Sequence, residues 1–385
     1  MKKSFLDYFS DATLFLIRPI VLLLMRKEIK VTHKGLTINK NLHEPVILIS
    51  NHFNTWDTFV IAKNFKTRVR FIATEIAFLD LSKRFGMGLL AQTIKKRVGK
   101  SDTNAVRKTF KNLKKGYSIG VFPEGDNTFY GETLDMHQSV GKLIKKANKD
   151  VIMFKQQGGY ISQPRWADFF SKKGHVHTFG KMLFTKAELE KVSDKEVMEV
   201  IEKELYNNDY VFQRKHMYNL DRKKRAEGIE RLIYLCNKCN GVVTIKGHEH
   251  DIICDKCGVI GTINKFEFIE NNQFDNLVDY NHYQYSHIKE VINSEFSFNV
   301  TLNLVVKLKN KPIGDFLLTY KNKTITLENK KDKFEFVFDK ILYPVNTMRH
   351  SFSFDYEGVT YNLTNIRNQF VLYEMLRFTN GSYKN

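Results

Sequence analysis

His52 and Asp57 are the two residues of this chain whose types and spacing best suit catalysis. A histidine can take a proton from a hydroxyl group near neutral pH, and a neighbouring carboxylate can fix its tautomer and stabilise the imidazolium that forms. The apolar residues 46–49 precede the histidine and predict a buried strand that ends beside it. The sequence therefore predicts a general base and its carboxylate partner at the end of a strand, although H-x-x-x-x-D on its own also arises by chance.

A second predicted strand ends in the residues Phe122, Pro123, Glu124 and Gly125. Proline removes a backbone donor and stops strand pairing, and glycine permits a turn or a close approach of the backbone to a ligand. We therefore expect Glu124 at the same edge of the sheet as His52. Taken alone, the segment is also compatible with an ordinary exit from a strand into a turn.

Cations end a short predicted strand that lies between these two segments in the sequence. Lys96 and Arg97 stand at its end, and a guanidinium supplies a planar fork of donors that suits phosphate. The many lysines of the following helix, 104–115, are more simply explained as a solvated basic face. Lys96 and Arg97 are thus the candidates for binding an anion.

Strand-like and helix-like segments alternate over residues 31–180, which favours an α/β domain with a largely buried sheet. The predicted strands cover 45–50, 68–73, 92–96, 117–122 and 151–156, and the predicted helices cover 55–64, 82–91, 104–115 and 139–148. In such a domain, ligands bind beyond the carboxyl ends of the strands. The candidate residues all follow predicted strands, as this rule requires.

These motifs together resemble those of the glycerophospholipid acyltransferases, the 1-acylglycerol-3-phosphate acyltransferase family. N-H-x-x-x-x-D at 51–57 resembles the first motif, Arg97 after its short strand resembles the second, and F-P-E-G at 122–125 resembles the third. The segment 158–166 resembles a bacterial branch of the family in which a zinc ribbon follows. The resemblance covers roughly residues 10–265.

The resemblance implies a mixed sheet flanked by helices and an O-acyltransferase. Such an enzyme moves a fatty acyl chain from acyl-CoA or acyl carrier protein to a lysophospholipid hydroxyl, in the first place that of 1-acylglycerol-3-phosphate, giving phosphatidic acid. It also implies His52 as the base, with Asp57 as its partner. Arg97 and Lys96 would hold the acceptor phosphate, and Glu124 and Gly125 would shape the acceptor pocket.

Asp126, Asn127 and Thr128 depart from the family pattern, which usually has an arginine after F-P-E-G. An added acid and a missing cation weaken the case for a phosphate at this place. A different lysolipid or a glycolipid therefore remains open as the acceptor. A non-catalytic protein that binds lipid or nucleic acid remains open as a separate class.

The four cysteines form two C-x-x-C pairs separated by fourteen residues: Cys236, Cys239, Cys254 and Cys257. This spacing is typical of a zinc ribbon, in which four thiolates close a tetrahedral site and the metal is structural. Two disulfides, idle thiols or a redox C-x-x-C are the alternatives. Cysteines confined to one short segment favour a reducing compartment.

The net charge of +19 indicates anionic partners. Residues 1–30 contain two apolar runs that Arg18 and Pro19 separate, ten residues in all, which is too short to cross a bilayer. Because proline breaks helices, we expect a pair of helices in the membrane interface, with cations near anionic headgroups. A helix that covers the core is the alternative. The protein would then lie at the cytoplasmic face of the cell membrane.

Residues 266–385 alternate apolar and polar side chains with a period of two, which predicts an antiparallel β-domain. A final helix at 368–378 closes it, and a pleckstrin-homology-like module fits this order. Its role, binding of a lipid headgroup or packing against the ribbon, stays open. Nucleic acid is not favoured as a partner, because no strand interleaves aromatic and basic residues.

The predicted organisation comprises four segments. They are membrane-interface helices at 1–30, an acyltransferase domain with a helical connector at 31–226, a zinc ribbon at 227–265 and a β-rich domain with a closing helix at 266–385.

Overall fold

The computed structural model consists of two compact units, which we call the amino-terminal unit and the carboxy-terminal unit. The amino-terminal unit comprises Met1–Ser162 and Lys172–His216, and the carboxy-terminal unit comprises Gln163–Ser171 and Met217–Asn385. The structure describes residues 2–36, 44–54, 56–63, 68–78, 86–88, 91–96, 102–171, 174–306 and 309–381.

A seven-stranded mixed sheet forms the centre of the amino-terminal unit. Its strands are β1 (Ile29–Leu36), β2 (Ile47–Ser50), β3 (Val69–Thr74), β4 (Ile94–Lys96), β5 (Ser118–Val121), β6 (Val151–Gln157) and β7 (Gly174–Phe184). They lie in the order β1-β7-β6-β2-β5-β3-β4, and neighbours run parallel except β6 and β7. The prediction of an α/β domain with a mixed sheet is confirmed. Since β6, β2, β5, β3 and β4 run parallel, their carboxyl ends share one edge of the sheet.

Helices accompany this sheet close to the predicted positions. They are α1 (Phe5–Glu28), α2 (Asp57–Lys63), α3 (Thr103–Lys114), α4 (Ser139–Ala147), α5 (Gly159–Ser162), α6 (Lys186–Lys191), α7 (Asp194–Leu205) and α8 (Asp209–His216). The helix predicted at 82–91 lies mostly outside the described residues. Its described part, 86–88, is a single π-helical turn, in which Ala91 N donates to Gly86 O over 2.8 Å.

One face of the sheet carries a hydrophobic core shared with α3, α4 and α7. Ile47 and Ile49 on β2 contribute to it together with Ile119 and Val121 on β5. The helices add Ala105, Leu113, Ile144, Val197 and Ile201. Alternate side chains point to opposite faces of a strand, and both faces are buried here, so these strands appear in the sequence as continuous apolar runs. The core holds β2 and β5 side by side and so fixes the loops that follow them.

Helix α1 differs from the expected pair of helices, because it continues through Pro19 as a single helix of 24 residues. Proline removes one backbone hydrogen bond, and the apolar turns on both sides carry the helix on. Its length is about 36 Å at 1.5 Å per residue. By length and composition it is long enough to cross a membrane, so the expectation that this segment is too short is wrong.

Ion pairs tie the first turns of α1 to the amino-terminal edge of the sheet. Asp7 is 1% exposed and accepts hydrogen bonds from Arg70, 2.7 Å away, and from Lys115. Asp11 pairs with Lys3 at 2.9 Å and with the guanidinium of Arg68. Both ends of the helix are held, since Trp56 Nε1 donates to Glu28 Oε2 over 2.9 Å.

We expect Asp7→Asn to lower the free energy of unfolding by about 3 kcal/mol, because it leaves the buried Arg70 without its counter-charge. Burial favours the protonated form of Asp7, but hydrogen bonds from Lys115, Ser4 and Arg70 outweigh it and lower its pKa. The stabilisation is therefore present above about pH 4 and is lost as the pH falls. Urea unfolding at several pH values checks this. Asp11→Asn, at a more exposed site, serves as the control and should lower the free energy of unfolding by less. An equal decrease for both variants would contradict the role of Asp7 as the counter-charge of Arg70.

A small sheet and two helices open the larger part of the carboxy-terminal unit. The sheet contains β8 (Ile245–His248), β9 (Asp251–Cys254), β10 (Gly258–Ile263) and β11 (Ile269–Glu270), and the helices are α9 (Leu277–Ser286) and α10 (Ile288–Ile292). Among the described residues, 232–235 form no strand. A 3₁₀ turn at Ile229–Arg231 precedes them, and a single bridge joins Leu235 to Val242.

A seven-stranded antiparallel sheet and a helix complete this unit. The strands are β12 (Phe296–Val306), β13 (Lys309–Lys321), β14 (Thr324–Glu328), β15 (Lys333–Val337), β16 (Leu342–Thr347), β17 (Ser351–Tyr356) and β18 (Val359–Thr364), and the helix is α11 (Gln369–Thr379). The order is β15-β14-β13-β12-β18-β17-β16. Aromatic side chains from separate strands meet inside, where the Phe336 ring lies 5.2 Å from Phe354 and 5.0 Å from Tyr361. The prediction of an antiparallel β-rich region is confirmed, and its similarity to a pleckstrin-homology module stays a prediction.

Candidate active site

His52 and Asp57 lie in direct contact beyond the carboxyl end of β2. Nδ1 of the imidazole is 2.5 Å from Oδ2 of the carboxylate. The carboxylate is fully buried, whereas the histidine side chain is 21% exposed, so its ring can be reached from outside. Because the carboxylate only accepts, Nδ1 carries the proton and Nε2 is left as the base.

The loop between strand and helix is organised by the Asp57 carboxylate. Its Oδ2 atom also accepts the backbone N–H groups of Phe53, at 2.8 Å, and of Asn54, at 3.2 Å. Both donors lie in the loop before α2, where buried backbone N–H groups need an acceptor outside regular secondary structure. Burial raises the pKa of Asp57, and the hydrogen bond to His52 works against that rise. One carboxylate oxygen therefore fixes both the turn and the imidazole.

An aromatic stack that the sequence did not indicate supports the His52 ring. Phe122 lies parallel to the imidazole with ring centroids 4.0 Å apart, and Phe71 continues the stack at 5.5 Å from Phe122. Gly120 makes room for it, since a Cβ there would lie 2.4 Å from the Phe71 ring. The stack leaves the imidazole little freedom to turn away from Asp57.

Glu124 joins the second loop to the first. Oε1 accepts the backbone N–H of His52 over 2.9 Å, and Oε2 accepts that of Leu134 over 2.8 Å. Gly125 follows with a positive φ of 73°, and a Cβ there would lie 2.6 Å from Nε2 of His137. Glu124 therefore positions the backbone of His52, a role that the sequence did not indicate.

Burial raises the pKa of Glu124 to about 8. An acid whose pKa is higher in the folded state than in the unfolded state stabilises the fold when it is protonated. For a glutamate this stabilisation is complete below the unfolded-state pKa of about 4.3, and it declines as the pH rises through the folded-state pKa. We expect the unfolding free energy of the wild type, relative to Glu124→Gln, to fall between about pH 5 and pH 8 by at most about 1.4 kcal/mol per pH unit. Denaturant titrations of both proteins measure this difference in unfolding free energy. A difference that does not change with pH would show that Glu124 titrates as an ordinary carboxylate.

A polar cavity of about 10 Å³, room for roughly one water molecule, lies beside these groups. His52 and Glu124 line it together with Gln156, Asn207 and Asp209. Asn51 is held next to it by two hydrogen bonds with the backbone of Gln156, of 2.7 and 2.8 Å. Asn207 lies between α7 and α8, and Asp209 is the first residue of α8. No sequence motif marks these two residues, and their burial depends on contacts with residues far away in the sequence.

The candidate anion site is described only in part. Lys96 ends β4, at the same edge of the sheet as His52 but three strands along from β2. No contact between Lys96 and His52 or Glu124 is seen in the part of the chain that the structure describes, and Arg97 lies outside that part. Asp126 adds a negative charge near Glu124 and contributes to the raised pKa of that carboxyl.

The four cysteines of the carboxy-terminal unit come together as a group that could hold a metal ion. Their sulfur atoms all lie within 4.8 Å of one another, and Sγ of Cys239 is 3.8 Å from Sγ of Cys254. Four thiolates at 2.3 Å from a tetrahedral zinc ion would stand about 3.8 Å apart. The backbone N–H groups of Lys238 and Lys256 point at the sulfurs of Cys236 and Cys254, each at 3.4 Å. The donor set therefore fits a closed tetrahedral site.

The segment that contains the His52–Asp57 pair matches a known protein family. The family model described as Acyltransferase matches residues 30–161. A search among curated proteins gives no match. One similar solved structure is the 1-acyl-sn-glycerophosphate (LPA) acyltransferase PlsC from Thermotoga maritima, with 21% identity and a TM-score of 0.37 over 50% of this chain and 87% of that chain. The segment that matches the Acyltransferase family model, residues 30–161, thus carries His52, Asp57 and Glu124.

Proposed function

We propose that this protein transfers a fatty acyl chain from an acyl thioester to the hydroxyl group of a lysophospholipid. The observation that carries the proposal is the contact of 2.5 Å between His52 Nδ1 and the buried Asp57 carboxylate, within an Acyltransferase family domain. A histidine with one nitrogen held by a carboxylate and the other free is suited to accept a hydroxyl proton.

In the first step, Nε2 of His52 takes the proton of the acceptor hydroxyl as its oxygen attacks the thioester carbonyl carbon. The new C–O bond gives a tetrahedral intermediate, and Asp57 stabilises the imidazolium. When the C–S bond breaks, the thiolate leaves and takes the proton from His52. The products are an ester and a free thiol, and the enzyme returns to its starting state. The step as written forms no covalent acyl-enzyme, and the four cysteines are assigned to the candidate metal site.

The acceptor we favour is 1-acylglycerol-3-phosphate, with acyl-CoA or acyl carrier protein as the donor. Lys96 and Arg97 would bind its phosphate, and Glu124 and Gly125 would form one wall of its pocket. A second candidate is a lysolipid or glycolipid without a phosphomonoester. Asp126 favours it, because a carboxylate this close to Glu124 repels an anionic headgroup.

The site of action we propose is the cytoplasmic face of the cell membrane, with α1 lying in the interface. Its outer face is apolar: Phe5, Phe15 and Leu16 are 85%, 77% and 71% exposed. Both ends of α1 are bound to the amino-terminal unit, through Asp7 at one end and Glu28 at the other. A helix tied to one folded unit at both ends is better placed to lie along a membrane surface than to cross it.

Zn²⁺ is the metal we propose for the four cysteines, in a structural role. Thiolates are the ligands that zinc prefers, and four of them leave no open position for substrate. We also propose the domain boundaries at residues 30, 226 and 265.

An acceptor panel tests the proposal. Purified protein is incubated with vesicles that contain lysophosphatidate, a zwitterionic lysophospholipid or a glycolipid, or with glycerol-3-phosphate, each with acyl-CoA and with acyl carrier protein as donor. We expect the highest kcat/KM with lysophosphatidate. Transfer only to acceptors without a phosphomonoester would remove the phosphate role of Lys96 and Arg97, and no transfer to any acceptor would contradict the proposed activity.

A further inference from the structure

Asp209 is a buried carboxylate that lies outside the matched family segment and lines the cavity beside His52. It is 2% exposed. Oδ1 accepts the N–H of Gly158 over 2.8 Å, and Oδ2 accepts that of Tyr160 over 2.7 Å and that of Ile161 over 3.4 Å. Asn207 Nδ2 donates to Oδ1 over 2.7 Å. The carboxylate thus gathers the backbone donors of a single turn, 158–161.

That turn lies directly against the residue that follows His52. The backbone of Gly159 packs on the Phe53 ring so closely that a Cβ there would lie 2.3 Å from it. Gly158 has a positive φ of 82° and is equally confined, with a Cβ position 2.4 Å from the Phe212 ring. A shift of the turn towards the Phe53 ring therefore has to displace that ring.

Phe53 in turn carries one of the hydrogen bonds that orient the catalytic carboxylate. Its N–H donates to Asp57 Oδ2 over 2.8 Å, the same atom that holds His52 Nδ1. The contacts therefore run without a gap from Asp209 through the turn and Phe53 to the His52–Asp57 pair. All of these residues belong to the amino-terminal unit.

We propose that Asp209 is a positioning residue for acyl transfer, which sets the place of the His52–Asp57 pair through the turn 158–161 and Phe53. This inference rests on the proposed function. It extends the working site beyond the family segment to the first residue of α8.

The chemistry of the turn explains why a carboxylate stands here. Every group that the structure places on the Asp209 oxygens is a donor, so both oxygens must accept. In Asp209→Asn one oxygen becomes an NH₂ group, which would face N–H donors. The variant keeps the shape of the side chain but breaks its hydrogen bonds with the turn.

Steady-state kinetics of D209N test the proposal. We expect kcat to fall about 100-fold, because small displacements of catalytic groups have effects of this size, with the KM of the acceptor within about twofold of the wild type. D150N is the matched control: Asp150 accepts the N–H of Lys186 over 2.8 Å in the same unit, at the opposite edge of the sheet. Its kcat should not change. A D209N variant with wild-type kcat would overturn the proposal.

A double variant with His52 separates positioning from an independent effect. If Asp209 acts through His52, H52A/D209N should be no slower than H52A alone. If adding D209N to H52A lowered kcat by as much as D209N does in the wild type, the proposal would be overturned. A wild type that transfers no acyl group, or an H52A variant with full activity, would instead contradict the proposed function, and neither of those results depends on D209N.

Hydrogen exchange supplies a readout that needs no substrate. We expect D209N to speed exchange of the Phe53, Tyr160 and Ile161 amides at least about tenfold, while the Ile47 and Ile49 amides of the core stay protected. Unchanged exchange at Phe53 would overturn the proposed link. Should D209N not fold, N207A removes the donor to Asp209 Oδ1, together with the acceptor of Gln157 Nε2, and carries the same comparisons, with a smaller fall in kcat expected.

Discussion

Replacing Asp57 by Asn is expected to lower kcat about 10³-fold, with little change in the KM of either substrate. The amide carries no charge to stabilise the imidazolium, and its NH₂ group can turn towards His52 and favour the wrong tautomer. The carboxylate is fully buried and 2.5 Å from Nδ1, so no water replaces it. The loss should therefore affect the chemical step and not binding.

Initial-rate kinetics with saturating thioester measure this effect, and thermal unfolding shows whether the fold is kept. Glu199→Gln, which removes an exposed carboxylate from α7 in the same unit, is the matched control and should leave kcat unchanged. A folded D57N protein with a kcat near that of the wild type would mean that His52 does not depend on Asp57.

Removal of the metal from the four cysteines should have the largest effect on stability. Binding of zinc to four thiolates supplies on the order of 10 kcal/mol in small domains, more than the sheet β8–β11 can provide by itself. We expect Cys254→Ser to lower bound zinc from about one ion per chain to none, because Cys254 is buried and central to the group. The carboxy-terminal unit should then melt at a lower temperature.

Metal analysis by mass spectrometry, on protein prepared without chelator, checks the zinc content. His248→Ala is the control, because His248 ends β8, the strand that pairs with β9 and its Cys254, but four thiolates already complete the site. It should keep its metal. Wild-type protein without zinc, or loss of zinc in the His248 variant, would contradict a site of four cysteines.

Much of the amino-terminal unit follows from local rules. Apolar runs of about four residues mark β2, β5 and β6, and polar residues at their ends mark the edge where His52 and Glu124 meet. Parallel strands bring their carboxyl ends to one edge, so residues far apart in the sequence become neighbours. The contact between His52 and Asp57 needs only the start of α2, which explains why the sequence predicts it.

The parts that the sequence did not indicate depend on contacts over long distances in the chain. Asp209 reaches Gly158 across 51 residues, and the Phe122 stack depends on the neighbouring strand β3. Helix α9 has no clear apolar period, and its Gln284 is fixed by backbone N–H groups of Tyr234 and Leu235. Such contacts leave no periodic pattern in the sequence.

Helix α1 was predicted wrongly for the opposite reason. The prediction gave Pro19 more weight than the apolar sequence on both sides of it, and so divided one helix into two. The proline costs a hydrogen bond within a helix of 24 residues that is anchored at both ends. Anchors of this kind involve residues 70 and 56, far from the proline in the sequence. They are visible only once the sheet is assembled.

Formation of phosphatidic acid by the purified wild-type protein and its His52→Ala variant, followed side by side by mass spectrometry, tests the central claim most directly. The substrates are lysophosphatidate in anionic vesicles with acyl-CoA, and in parallel with acyl carrier protein. We predict transfer by the wild type and a kcat/KM lower by about 10²-fold to 10⁴-fold in the variant, the usual contribution of a general base. Equal rates for the two proteins would contradict the role of His52, and the absence of transfer to any lysophospholipid would contradict the function itself.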